Sequence, residues 1–389
     1  MAFAELAAND EQRALCETAR RYLKNACPPN LARAGADPLA SESWRRLADL
    51  GWLALPISEA RGGLGGEPLT LALLMTEIGR ALEPKHFLAS AVLGGVVLDH
   101  CGDTPIVREL IATAITGERL LAVALYEPGA GYEERRIDAV AEGVSERWHV
   151  SGEKALVLGA PDADIFIIPA KTVQGETAIF AIEASAPGLG LTTHCGVDGL
   201  SCADIALTNA PAQLLCGSSA YTALAAALDA GTLAVCWEAV GIMRSLIELT
   251  ASHLEARTQF GRRLAEFQVL QHRMSEMYLE CYRAECLSIA ALEAAGAELP
   301  TRMRALSSAK ALVGRAARFV GQQAVQLHGG MGVSAEHIVS HYFRRLTAID
   351  ALFGNSDHHL SLLQALDESP RMSAAPSRRR SRARRRRQA

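Results

Sequence analysis

Five short stretches decide the fold: LLAVALY at 120–126, WHVSGEKALVL at 148–158, DIFIIPA at 164–170, TAIFAIEA at 177–184 and DIALTNA at 204–210. Each is β-branched or alternating in texture and is separated from the next by Gly, Pro, Asp or Asn, as short strands joined by turns require. They predict an antiparallel sheet or barrel, a middle β domain over 117–217. On either side the texture is helical. Residues 1–116 carry periodic apolar positions, as in DEQRALCETARRYL at 10–23 and SESWRRLADLGWLAL at 41–55. From Tyr221 long helical patterns return and run to about Leu366, interrupted clearly only by AAGAELPTR at 294–302 and LHGGMGVS at 327–334. The predicted class is mainly α with a middle β domain, its last folded part being a helical bundle over 218–368.

Composition narrows the class of protein. At 389 residues, with 49% hydrophobic and 21% charged residues, the chain is globular and long enough for more than one core. No charge-free apolar run reaches about 18 residues, and the first twenty residues carry acids where a signal peptide needs an apolar stretch, so a cytoplasmic protein without a membrane span is expected. Nine cysteines show no C-x-x-C pair; they are read as reduced core or boundary residues, and no metal site is expected. The formal charge of −4 hides an asymmetry, because residues 371–389 hold nine arginines and no acid. Residues 369–389 are therefore expected as a disordered Arg-rich tail. The acidic body offers no basic face to continue a nucleic-acid site, so nucleic acid is not an expected partner.

Several motifs carry chemistry. Arg257, just past a long helix and followed by Gln259, Phe260 and Gly261, offers a cation and an apolar platform to a phosphate-bearing cofactor, since guanidinium forms charge-assisted bonds to phosphate oxygens. The plainer alternative is a surface ion pair with Glu255 or Glu266. In Gln326-Leu327-His328-Gly329-Gly330-Met331-Gly332 a helix ends, and glycines without Cβ let backbone N–H groups approach an anion; a glycine C-cap is the alternative.

The segment Arg257-Thr258-Gln259-Phe260-Gly261 with Phe267-Gln268, the Gln326–Gly332 run, Gly51-Trp52 with Gly62-Gly63-Leu64-Gly65, and Glu127-Pro128-Gly129-Ala130-Gly131 together resemble the acyl-CoA dehydrogenase family, in the right order across 5–366. The resemblance implies an N-terminal helical domain, a β-barrel, a C-terminal four-helix bundle, oligomers, and FAD held between subunits. It implies FAD-dependent α,β-dehydrogenation of an acyl-CoA thioester in fatty, dicarboxylic or alicyclic acyl-CoA degradation, with an electron-transfer flavoprotein-like acceptor. Arg257, Gln259 and Phe260 would reach a neighbouring subunit's FAD and meet Gln326, Gly329 and Gly330 there, with Asn355 a further cofactor contact. His328 is read as packing at its turn.

The chemistry the resemblance implies needs a carboxylate to take the α-proton, and here the sequence departs from the family. Phe353 stands where most relatives keep that Glu, and Gly231 stands at the alternative position on the first bundle helix, with Thr232 next to it. Tyr126, Tyr132, Glu133, Leu156 and Leu158 also replace residues that usually serve flavin or substrate. The 341–347 and 353–359 stretches resemble the small-subunit branch of pimeloyl-CoA dehydrogenase-type and steroid-degradation-type heteromers. That branch implies a homo-oligomer or a heterotetramer with a larger homologous subunit. Two candidates for the base remain. Glu238 lies seven residues after Gly231 on the same helical face; the competing reading is a buried Glu paired with an Arg or His of the bundle. Asp357 is the other, read more simply as a cap of the last helix. A catalytically silent subunit that completes a partner's FAD site is the alternative function.

Overall fold

The computed structural model describes residues 8–26, 40–82, 86–133, 135–144 and 147–373. The N-terminal part is helical: α1 (Asp10–Ala26), α2 (Ala40–Asp49), α3 (Pro68–Ala81), a π-helix at Phe87–Gly94 leading into α4 (Gly95–His100), and α5 (Pro105–Ile115). Local chemistry sets the starts. Proline occupies the first turn of α3 and α5, where its missing N–H costs nothing, and the Thr104 hydroxyl caps α5 by accepting from Val107 N.

The middle part is β1 (Leu121–Val123), β2 (Val140–Val144), β3 (Arg147–Leu158), β4 (Ile165–Thr172), β5 (Thr177–Glu183), β6 (Leu189–Cys195) and β7 (Ser201–Cys216). Pairing runs β4–β2–β3–β7–β5 and returns to β4, so the sheet closes on itself as a barrel. Its interior is apolar, with Phe166, Ile168, Phe180, Ile182, Ile205 and Leu207 buried together. The expected antiparallel pattern holds except where β4 meets β1 and β2, both parallel. Strands β2 and β6 had no signal in the sequence. Most residues of β6 are exposed, so its apolar pattern is absent.

The C-terminal part opens with α6 (Ala220–Ala256), followed by a hairpin of β8 (Thr258–Gln259) and β9 (Arg262–Arg263). Helices α7 (Gln268–Glu293), α8 (Leu299–His328), α9 (Ile338–Ala351) and α10 (Ser356–Ser373) complete the bundle. Helix α10 continues to Ser373, past the point at 369 where the tail was expected to begin; residues 374–389 lie outside the described residues. By length and composition α6 resembles a membrane span, but 67% of its apolar window is buried inside the protein, as in a core helix.

One apolar core runs through both helical parts, joining Trp52, Leu74 and Phe87 to Trp237, Ile242 and Val313. Two glycines make its tightest crossing. A Cβ at Gly79 would meet Glu238 O at 2.1 Å, and one at Gly241 would meet Thr76 O at 2.0 Å, so α3 and α6 touch backbone to backbone. That crossing places the middle of α6 against the N-terminal helices and fixes the wall on which Gly231 lies.

Candidate functional site

The two positions at which the resemblance expects a carboxylate meet in space. A Cβ on Gly231 would lie 3.1 Å from Phe353 Cε2 and 2.7 Å from Leu93 Cδ2 of the π-helix, so the glycine, the ring and the leucine form one closed apolar contact. Phe353 is buried and holds φ +56°, followed by Gly354 at +103°, a sharp left-handed turn between α9 and α10. The turn is fastened from below. Lys310, fully buried on α8, donates to Asp350 O at 3.0 Å and Gly354 O at 2.7 Å. His359 Nε2 donates to Phe353 O at 3.0 Å while Nδ1 faces Ser307 Oγ at 3.2 Å. Burial, aided by the nearby Lys310 charge, pulls the His359 imidazole down to about 4, so it is neutral in this setting.

A cavity of about 620 Å³ runs along α6, bounded by Ala230, Leu233, Ala234 and Trp237 of that helix together with Val96 and Leu306; Gly231, Leu93 and Phe353 are not among its lining residues. Its wall is mainly apolar. Polar groups enter through Arg135 and the Arg302–Asp229 ion pair, whose Nε donates to Oδ2 at 2.7 Å.

Glu238 is buried, and Arg345 takes both its oxygens: Nε donates to Oε1 at 2.6 Å and Nη2 to Oε2 at 2.9 Å. The third arm of Arg345, Nη1, donates to Asp198 Oδ2 at 2.7 Å in the turn between β6 and β7. Burial alone would lower the Arg345 guanidinium, but the two carboxylates outweigh it and hold it above its ordinary value. This arrangement supports the ion-pair reading of Glu238.

Asn355 Oδ1 accepts from His358 N at 2.9 Å and caps α10, which corrects the expectation for Asp357; that residue lies in the helix's first turn. Tyr132, on the loop after Gly131, faces His358 with ring centroids 5.0 Å apart, and burial raises its phenol. The loop behind it is pinned by buried Glu127, which accepts from Lys154 Nζ at 2.6 Å and from Ala139 N at 3.0 Å. Leu156 sits in a bulge of β3 at φ +51° and is 62% exposed.

The second group lies at the far end of α6. Arg257 is the C-cap, with its N–H on His253 O at 3.0 Å and its carbonyl accepting from Leu264 N at 2.9 Å. Its side chain forms no ion pair with Glu255 or Glu266 among the described residues, so that alternative is not what the structure contains. Gln259 is exposed, and Phe260 at φ +53° is 90% exposed at the hairpin tip. Helix α8 ends beside the last turns of α6. His328 stacks on His253 at 4.4 Å and its Nδ1 donates to Ala324 O at 2.8 Å, in keeping with a packing role. Gln326 before it and Gly329 and Gly330 after it lie on the surface, and a Cβ on either glycine would meet no atom within 4 Å. A guanidinium without a partner among the described residues, a projecting ring and an open glycine turn fit a phosphate-bearing cofactor presented from outside the chain.

Residues 9–118 match the acyl-CoA dehydrogenase N-terminal domain, 122–210 the middle domain and 221–365 the C-terminal domain, in that order. The chain belongs to the acyl-CoA dehydrogenase family. It is 26% identical over 364 residues to a probable acyl-CoA dehydrogenase, YngJ, of Bacillus subtilis, covering 89% of this chain and 95% of that one. Among solved structures it is similar to a variant of the Tcur3481-Tcur3483 steroid ACAD, with a TM-score of 0.83, 27% identity, and 93% and 99% of the two chains covered. It also shares its fold with the ChsE4-ChsE5 complex of Mycobacterium tuberculosis, at TM-score 0.83 and 23% identity over 95% and 99% of the chains. Other acyl-CoA dehydrogenases have been solved with FAD or FADH2 bound. Sequence reasoning missed Arg345 as the partner of Glu238 and Asp198, because those contacts span long sequence separations and leave no local pattern.

Proposed function

We propose that this chain works in FAD-dependent α,β-dehydrogenation of an acyl-CoA, as a subunit that helps hold the flavin and leaves α-proton removal to a carboxylate on a larger homologous partner. The observation that carries this is the closed contact of Gly231 with Phe353 and Leu93, which leaves both expected base positions apolar and in touch with each other. Glu238 is then an ion-pair residue, committed to Arg345, rather than the base.

When bound, FAD supplies the acceptor for the β-hydride. This chain's own residues position and exclude. Arg257 and the Gly329–Gly330 turn would hold phosphate oxygens, Gln259 and Phe260 would flank the nucleotide, and Gln326 and Asn355 would add polar contacts. The apolar cavity along α6 would take a fatty, dicarboxylic or alicyclic acyl chain and keep water from it. Phe260, Val269, Tyr278 and Leu279 expose large apolar area, which supports burial in an oligomer. The family resemblance further supports an electron-transfer flavoprotein-like acceptor and a cytoplasmic setting.

The homomeric reading, in which this chain turns over alone, differs in one measurable respect. The chain is purified by itself and after co-expression with a larger homologue carrying a carboxylate at the position of Gly231, and flavin content and anaerobic bleaching by an acyl-CoA panel are compared. Turnover only in the co-expressed assembly is expected. Equal turnover by the chain alone would favour the homomer.

A further inference from the structure

Three imidazoles meet behind the open end of α6. His253 of α6 stacks on His328 at the end of α8, with ring centroids 4.4 Å and planes 28° apart, and His337, the cap of α9, lies 5.2 Å from His328. The cluster joins the two halves of the proposed phosphate site. Arg257 follows His253 by one helical turn, with its N–H on His253 O at 3.0 Å, and Gly329 follows His328 directly.

The rings are short of partners. His328 Nδ1 donates to Ala324 O at 2.8 Å, and His337 Nδ1 accepts from Val339 N at 3.3 Å. His253 Nε2 is buried and has no hydrogen-bond partner among the described residues, a state that packing alone does not explain. The surrounding charge is one-sided as well. Glu248 is taken by Arg80, and Glu255, Glu266 and Glu336 are exposed and form no ion pair with these rings among the described residues. On α9, His341 is held by Arg344 Nη2 and Ala335 O, each at 2.9 Å. Burial lowers the His253 imidazole, and Arg257 and His337 lower it further; burial also lowers His328, which His253 and His337 reinforce against the Ala324 bond.

We propose that the His253–His328–His337 cluster takes up a proton from solvent when cofactor phosphate engages Arg257 and the Gly329–Gly330 turn, so that cofactor affinity rises as pH falls. The inference rests on the reading of the open end as the phosphate site. Its sign follows from charge. An anion beside Arg257 offsets the cation that opposes protonation of His253, so the ring gains basicity, and anion and proton strengthen each other's binding by the same factor. Without the anion, acid charges rings that the fold keeps neutral; the stability they contribute is present above their ordinary range and lost as pH falls below it.

The test uses the flavin-loaded assembly co-expressed with the larger homologue. FAD affinity is measured by equilibrium dialysis from about pH 8.5 down to about pH 5.5, a window in which histidine titrates and the FAD pyrophosphate does not. A ring made more basic by one unit corresponds to a factor of ten, so binding about tenfold tighter at the acid end is expected. Calorimetry in two buffers of different ionisation heat should show proton uptake on binding. His253→Phe and His328→Phe keep a stacking ring without its proton and should flatten the slope while still binding FAD at the alkaline end; a merely structural role would weaken binding equally at every pH. Affinity independent of pH, with no proton uptake, would overturn the inference and leave the phosphate site standing. A slope that persists in both variants would place the proton elsewhere and sink it equally. Failure to bind FAD at any pH would remove the reading of the open end, and the inference with it. The wild-type titration needs no variant, so it tests the coupling even if a Phe variant misfolds.

Discussion

The two ends of α6 are built on opposite plans. Around Gly231 the chain closes on itself: Leu93 and Phe353 fill the space, while Lys310, His359 and Arg345 give their hydrogen bonds to groups of the same chain. Around Arg257 it stays open, with a guanidinium, an exposed ring and a bare glycine turn directed outward. A buried polar group must find its partner within the chain, whereas an outward one can wait for a partner molecule. The closed end therefore has its partners within the chain, while the open end leaves its groups unengaged by the described residues.

Breaking the closed end should give the largest effect. Arg345→Met leaves Glu238 and Asp198 buried without their cation, and a loss of about 3–5 kcal/mol in denaturant unfolding is expected. Glu238→Gln should also lower stability, yet leave the rate of flavin reduction at the wild-type level. An abolished rate in a folded Glu238→Gln protein would turn that residue back into a candidate base.

Titration of the same end gives the next effect. His359 is held near 4 in the folded protein against an ordinary 6.5, so the unfolded chain binds more protons between these values. Stability contributed by the neutral ring is full above pH 6.5 and is lost as pH falls toward 4, by up to about 3 kcal/mol. Urea midpoints measured across that window should fall with acid in the wild type and fall less in His359→Gln. Parallel curves would show that the ring is not what closes this end.

The open end should respond to substitution with little change in fold. Arg257→Ala removes a phosphate contact and leaves no cavity, so flavin affinity should drop about tenfold or more while the melting temperature holds. Flavin occupancy after dialysis, read by absorbance, checks it. Unchanged occupancy would mean that the open end holds no cofactor.

The open end was legible in the sequence because its signals are local: Arg257, Gln259 and Phe260 adjoin one another, and Gly329 and Gly330 mark their own turn. The barrel strands with buried faces were equally visible, as in Ile165–Thr172 and Thr177–Glu183. What escaped had no local pattern. Strand β6 pairs through exposed residues, and the π-helix at Phe87–Gly94 reads as any apolar helix. The Arg345 staple joins α9, α6 and the β6–β7 turn across long separations. The meeting of Gly231 with Phe353 could be suspected from two missing carboxylates, but only the fold brings the two positions into contact.

The central claim, that this chain lacks its own base at the reaction wall, is tested most directly by restoring one. Wild type and Phe353→Glu, both loaded with flavin, are mixed anaerobically with a panel of acyl-CoAs while flavin absorbance is followed. A general base is worth typically about 10²–10⁴ in rate, so Phe353→Glu should bleach faster than wild type by a factor in that range. Wild-type protein that bleaches as fast as Phe353→Glu would contradict the claim and place a working carboxylate within this chain.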